Sequence, residues 1–348
     1  MKRIKKLPTP PVFLSYCAVG GREEHKGSLS ESFDFLDDTD KFGMDSWEKA
    51  EGEMGRICLN LALRKASLSH EQLSLLVAGD LQNQCVATSI GLSSFGIPFL
   101  GVYGACSTCT EDLIVLSSVL SLGERETGAA LTSSHNSAQE MQFRTPLEYG
   151  AQRSPSAQWT STSAGAFILT LNDELIKTKG EDAVVIKEVM PGRIIDGSTT
   201  DGANMGAAMA FAAHDSICSY FAESTLRPAD FDYVVTGDLG VVGSNILKHL
   251  LKKDLPAVIP RHLDCGCLLY DFETQDVHSG ASGCGTSAAV LACHFLPLLA
   301  EGKINRILFL STGALLSPSS LKQGESIRGI APAVLIERLY PKKGDNKE

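Results

Sequence analysis

No apolar run in this chain reaches the ~18 residues that a bilayer-spanning helix requires, so no segment is expected to cross a membrane. Basic charge is scarce too. Thirty-one Lys and Arg stand against 41 Asp and Glu, and the net charge of −10 argues against nucleic acid as a partner. No secretory leader is expected: "MKRIKKLPTPPVFLSY" has the basic start of one, but prolines and a threonine break its apolar part. It reads as a cytosolic start with a lead-in strand. Without export, the ten cysteines are expected to be free thiols. Zinc-type spacing is also missing. "CSTC" (Cys106, Cys109) has no second ligand pair near it and "CGC" (Cys265, Cys267) lies in the far half, so no metal site is expected.

What the chain does have is a pattern written twice. "LSLLVAGDLQNQ" (73–84) is echoed by "FDYVVTGDLGVV" (231–242), each preceded by an apolar helix. The first helix carries Trp47, Ala50, Met54, Ile57 and Leu61 at alternating three- and four-residue steps; the second is the Ala-rich 205–225. "GACSTCTEDLIVL" is matched by "SGCGTSAAVLACHFL", "ETGAALTSSHNS" by "INRILFLSTGALLS", and "AGAFILTLNDELI" by "APAVLIERLYP". The second half is longer between its GDL triplet and its turn cysteine, and the surplus is placed in "RHLDCGCLLYDFETQDVHSG". Strand–helix alternation with an antiparallel ending, repeated twice, predicts an α/β five-layer αβαβα sandwich, with halves at 1–180 and 181–348. Two mixed sheets would enclose the helices that begin near Cys106 and Cys284. Both helices are apolar all round, as helices buried on every side must be.

Cys106 is the first candidate for chemistry. "GIPFLGVYGA" before it reads as a buried strand and "TEDLIVLSSVLSLG" after it as a helix. A thiol at that turn faces unpaired N–H groups and the positive end of a helix dipole, which predicts a lowered pKa and a thiolate.

A duplicated α/β chain with cysteine at the start of its first central helix resembles the thiolase and ketosynthase superfamily. "YGACSTCTEDL" is similar to the nucleophile turn of that superfamily, and "LFLSTGALLSP" to its glycine-rich loop. Longer strings narrow the match: "FGMDSWEKAEGEM", "LLVAGDLQNQ", "GIPFLGVYGACST", "TSSHNSAQEMQFRTPLEYGAQRSPSAQWT", "HSGASGCGTSAAVL" and "GESIRGIAPAVLIER" resemble the stage V sporulation protein AD family. The resemblance implies a thiolase-like pocket that binds dipicolinic acid, pyridine-2,6-dicarboxylate, with or without calcium carried alongside. It also implies membrane partner subunits, a peripheral place at the forespore or spore inner membrane, and no resident cofactor. Thiolase-like folds pair through the strand after the cysteine helix, placed here at about 127–133, so a homodimer is expected.

The alternative the same resemblance carries is an acyltransferase with Cys106 as acyl-carrying nucleophile. Condensation needs a histidine after the second-half strand, where Thr236, Gly237 and Asp238 stand instead. The ketosynthase asparagine falls on Gly285, and the thiolase pattern places a histidine near His278. An aspartate at 238 would repel a developing oxyanion. For a planar aromatic dianion the requirements are a flat apolar surface and hydrogen-bond donors. Cys106 at its helix start, Ser134, His135, Arg144 and Gln158 are the candidates to hold the ligand, with Trp159 as the flat surface. Asp80 and Asn83 follow the first GDL strand and offer oxygen donors to the ligand or to a calcium ion bound to it; tying down a buried loop is the other reading of both.

Overall fold

The computed structural model describes residues 2–123, 126–143 and 153–340. Ten strands carry the two halves. In the first they are β1 (Val12–Gly20), β2 (Leu75–Gly79), β3 (Phe99–Gly101), β4 (Thr127–Ser134) and β5 (Ser163–Thr170); in the second, β6 (Val184–Met190), β7 (Tyr233–Thr236), β8 (His262–Asp264), β9 (Arg306–Leu310) and β10 (Ala333–Arg338). The first five are ordered β3-β2-β4-β5-β1 and the second five β8-β7-β9-β10-β6. Directions repeat as well: three parallel strands, then two antiparallel neighbours, in each half. The duplication read from the GDL echo is therefore a duplication of topology. The two sheets are not wholly separate, since β1 and β6 share the single pairing Val12↔Val185.

Alternation along the strands sorts side chains into layers. Val77, Ala130, Phe167, Val235, Ile307, Phe309, Val334 and Ile336 face a central core. That core holds the helix α3 (Thr108–Leu120) and the helix α6, which runs Cys284–Val290 and continues to Ala300. The intervening residues Leu76, Ala129, Leu131 and Ile168 face α1 (Trp47–Ala66). Val234, Leu308, Leu310 and Leu335 face α4 (Met205–Glu223). This is the five-layer sandwich. Within α6 a five-residue π segment, Leu291–Phe295, precedes Pro297, whose missing N–H and ring clash disfavour regular α pairing there.

One packing device was hidden in the sequence. α1 crosses α2 (Val86–Leu92) at Gly52 and Gly91, so closely that a Cβ on Gly91 would lie 2.0 Å from the Gly52 carbonyl oxygen. The second half repeats the crossing: a Cβ on Gly243 of α5 (Gly240–Asp254) would lie 2.7 Å from the Gly206 carbonyl oxygen of α4.

Two expectations are corrected here. The strand at 127–134 is bonded on both sides, to β2 and β5, so it has no free edge through which to pair with a second chain. The strand in "GIPFLGVYGA" is not buried. Among the described residues β3 is the outermost strand of its sheet, and Phe99 and Leu100 are 44% and 45% exposed.

Candidate functional site

The turn that feeds α3 meets the start of α6. Cys106 sits in the single turn Ala105–Ser107 that feeds α3. The turn is strained, with Ala105 at φ +54°. Gly313 packs onto it, since a Cβ there would come 2.8 Å from the Gly104 carbonyl oxygen and 2.9 Å from Ser107 Oγ. Cys106 is 6% exposed and touches Leu81 and Cys284. Cys284, the first residue of α6, gives its thiol to the Ser133 carbonyl at 3.0 Å. The two turn cysteines of the duplicated halves thus lie side by side.

The partner of Cys106 comes from the second half. Asp238, at the end of β7, is fully buried. It accepts from Gly283 N (2.9 Å), Thr312 Oγ1 (2.9 Å) and Ser282 Oγ (3.3 Å), and its charge acts on the neighbouring Cys106 thiol. Burial, then the Asp238 charge, raise the Cys106 pKa well above 9, so the group is a thiol and not the thiolate expected from its helix terminus. The dipole favours an anion there, but a dry site beside a carboxylate disfavours it more. Asp238 itself is pushed up to about 7 by burial, against the pull of its donors.

The histidines are engaged elsewhere. His278 has φ +49°, its Nδ1 contacts the Ser154 carbonyl at 2.7 Å, and its Nε2 lies 3.0 Å from Asp276. Both ring nitrogens are taken by the loops on which it sits. His135 follows Ser134, and strand alternation sends the two to opposite faces. Ser134 points inward, giving its hydroxyl to the Ser161 carbonyl (2.8 Å) and accepting from Gly285 N (3.2 Å). His135 points outward to the Asp40 carbonyl (2.8 Å) and the Trp47 ring (5.4 Å between centroids), and burial lowers its pKa. The structure does not bring His135 to Cys106.

Of the remaining candidates, Gln158 is closest to the chemistry. Its amide donates to the carbonyls of Asp238 and Ala281, both at 2.7 Å, and its buried Oε1 has no hydrogen-bond partner among the described residues. Trp159 pairs with Ala281 in a short parallel bridge, and the Arg153 guanidinium stacks 5.0 Å from its ring centre. Asp80 is consumed by its own loop, accepting from Gln82 N (2.8 Å), Thr88 N (2.8 Å) and Thr88 Oγ1 (2.5 Å). Asn83 is exposed and accepts from the Tyr103 hydroxyl at 3.1 Å. Arg144 lies outside the described residues.

Glu51 was missed. It is fully buried on α1, accepting from Gln82 Nε2 (2.6 Å) and Ser133 Oγ (3.1 Å), and burial with the Asp80 charge pushes it up to about 8. Its place at 47/51/54/58, inside the helix's own stripe, was the available signal. Asp112 on α3 is equally buried, bonded through one oxygen to Thr132 Oγ1 at 2.5 Å. No group of three or more His, Cys, Asp or Glu is arranged for a metal among the described residues. Nor does any described helix have the length and apolarity to cross a membrane.

Chemically, the turn offers a protonated thiol, helix-terminal N–H groups and a carboxyl of shifted pKa, and among the described residues no histidine is hydrogen-bonded to Cys106. Comparison with known proteins agrees on the frame. The stage V sporulation protein AD family matches residues 1–337. Stage V sporulation protein AD of Bacillus subtilis (strain 168) is 40% identical over 329 residues, covering 94% of this chain and 95% of the relative. Among solved structures, a variant of OleA of Xanthomonas campestris superposes with a TM-score of 0.60 at 12% identity, over 95% of this chain and 99% of that one. The 3-oxoacyl-[acyl-carrier-protein] synthase III of Aquifex aeolicus VF5 gives 0.56 at 12%, over 94% and 99%. At such identity these two likenesses establish the thiolase-like fold alone.

Proposed function

The chain belongs to the stage V sporulation protein AD family, and on that premise we propose that it binds pyridine-2,6-dicarboxylate at the Cys106 turn. It does so as the soluble component of a sporulation membrane complex that moves dipicolinate into the developing spore and out at germination. The observation that carries this reading is the partner of Cys106. A condensing enzyme needs a histidine there to donate to the thioester oxygen, and the chain instead places the negative charge of Asp238 beside the thiol. That arrangement supports binding over acyl transfer. The N–H groups at the start of α3 are donors suited to a carboxylate, and the Trp159 ring is the flat surface this reading assigns to the aromatic ring. Calcium, where it takes part, is cargo carried with the dicarboxylate.

The chain acts as a homodimer in this reading, and the exposed apolar edge β3 is the surface that supports it. Phe99 and Leu100 are exposed on a strand that, among the described residues, has a neighbour on one side only, and Val86 and Ile90 of α2 are exposed as well. Association with the spore inner membrane then comes through membrane subunits of the complex.

Calorimetric titration of the purified chain with pyridine-2,6-dicarboxylate, with acetyl-CoA as control, tests the central claim. Saturable binding of the dicarboxylate that Cys106→Ala weakens is expected. Silence with the dicarboxylate, together with acylation of Cys106 by the thioester, would restore the enzyme.

A further inference from the structure

We infer that an anion entering the Cys106 turn binds together with one proton, and that Asp238 receives it. This rests on the binding reading above and adds a coupling to it. The geometry is that of a closed charge. Asp238 is 0% exposed and its carboxylate is held by Gly283 N, Ser282 Oγ and Thr312 Oγ1, none of which is charged. The titratable groups facing it are Cys106 from the turn, and Asp264 and Cys265 from the end of β8 and the residue after it. All three ionise to negative charge. Asp264 is itself committed to Thr236 Oγ1 (2.6 Å), Leu239 N (2.9 Å) and Gly240 N (2.9 Å). Among the described residues no Lys, Arg or His side chain is bonded to Asp238.

A carboxylate ligand brought to Cys106 adds a second negative charge beside the first, where among the described residues no Lys, Arg or His side chain bonded to Asp238 offsets it. Two such charges cannot both be accommodated, and the cheapest relief is protonation of one. The ligand's own carboxyls, with pKa near 4 or below, are the harder to protonate. Asp238, already raised to about 7 by burial, is the easier. Protonated, it keeps one oxygen for Gly283 N and gains a donor that can face the ligand.

The sign follows. Above pH ~7 the free protein carries Asp238 ionised, so binding takes up a proton and weakens about tenfold per pH unit. Below it the proton is already in place and affinity levels off.

The test is calorimetric titration of the full chain with pyridine-2,6-dicarboxylate at pH 8 in phosphate and in Tris, whose ionisation enthalpies differ. Uptake approaching one proton is expected for the wild type. Asp238→Asn should abolish the uptake and flatten the affinity between pH 7.5 and 8.5. Thr312→Val, which removes a donor to the carboxylate, should move the pH midpoint upward and strengthen binding at pH 8, where mere damage to the site would weaken it. This second variant keeps the question open to refutation where Asp238→Asn does not fold. Tight wild-type binding without proton uptake, or an unchanged pH slope in Asp238→Asn, would overturn the coupling and leave the binding reading standing. No wild-type binding at any pH would overturn both.

Discussion

Replacing Asp238 by Asn should make Cys106 more reactive, and the size of the gain can be worked from the site. Asp238 is fully buried beside the thiol, and its charge is the second cause of the raised Cys106 pKa after burial itself. A unit charge at about 4 Å in a medium of effective dielectric about 20 is worth up to about 4 kcal/mol, or about 3 pKa units. Asn keeps the shape but removes the charge, and reorganisation of Thr312 and Ser282 absorbs part of the effect, so a drop of about 2 units is expected. That raises the thiolate fraction near neutral pH about a hundredfold. Intrinsic nucleophilicity falls with pKa at a slope of about 0.5, which takes back about tenfold. The net expectation is alkylation of Cys106 by iodoacetamide about tenfold faster in Asp238→Asn than in the wild type. Peptide mass spectrometry would follow the label site by site, with the partly exposed Cys218 and Cys267 as internal references. An unchanged or slower rate at Cys106, with those references constant and the fold intact by circular dichroism, would refute the account of what holds the proton on this thiol.

Other consequences are open to measurement. Arg338 is buried without a carboxylate, its guanidinium serving the carbonyls of Leu299, Ala300 and Glu181, so it closes the C-terminal end of α6. Arg338→Ala orphans those carbonyls and should cost about 3 kcal/mol in urea denaturation; a loss under 1 kcal/mol would contradict this. Gly91→Ala drives a methyl into the Gly52 carbonyl and should destabilise by at least about 2 kcal/mol, and Gly243→Ala by somewhat less, since its contact is 2.7 Å instead of 2.0 Å. Glu24 is buried against the Tyr270 hydroxyl, Thr162 N and Gly21 N, and burial raises it to about 7. Because the folded pKa exceeds the unfolded one, its contribution is fully favourable below the unfolded value of 4.5 and is lost as pH rises through 7, a swing of roughly 3 kcal/mol. Glu24→Gln should therefore flatten the fall in stability between pH 5 and pH 8, and an identical slope in the variant would exclude Glu24 as its source. Leu100→Lys on β3 should leave the fold intact and shift sedimentation towards the monomer; an unaltered dimer would move the interface elsewhere.

Much of the architecture was legible because it rests on local periodicity said twice. The GDL echo, the matched apolar helices and the paired closing strands implied equal topology in both halves, and equal topology with apolar central helices implied five layers. The same local reading misjudged β3. "GIPFLGVYGA" is as apolar as any core strand, but whether a strand is covered depends on which strands flank it, and the pairing order leaves Phe99–Gly101 outermost. It also misplaced the dimer edge at β4, which the order puts between β2 and β5.

At the site the division is sharper. That Cys106 starts a central helix, and that Asp238 stands where a condensing enzyme keeps histidine, could be read along the chain. That these two residues act on each other, with Cys284 packed beside Cys106, is decided by the meeting of the two halves, from positions more than a hundred residues apart. The helix terminus alone would lower the thiol pKa. Burial and a neighbouring carboxylate reverse it, and neither can be seen until the second half closes over the first. In the same way, Ser134 and His135 are adjacent in sequence, but the pleat sends one to the central helices and the other to Asp40 and Trp47. The sequence alone determined the layers, the duplicated strand order and the cysteine at the turn, because each follows from periodicity within a segment. The protonation of that cysteine, the free edge and the direction of each polar side chain belong to the tertiary structure, because electrostatics and burial depend on what arrives from elsewhere.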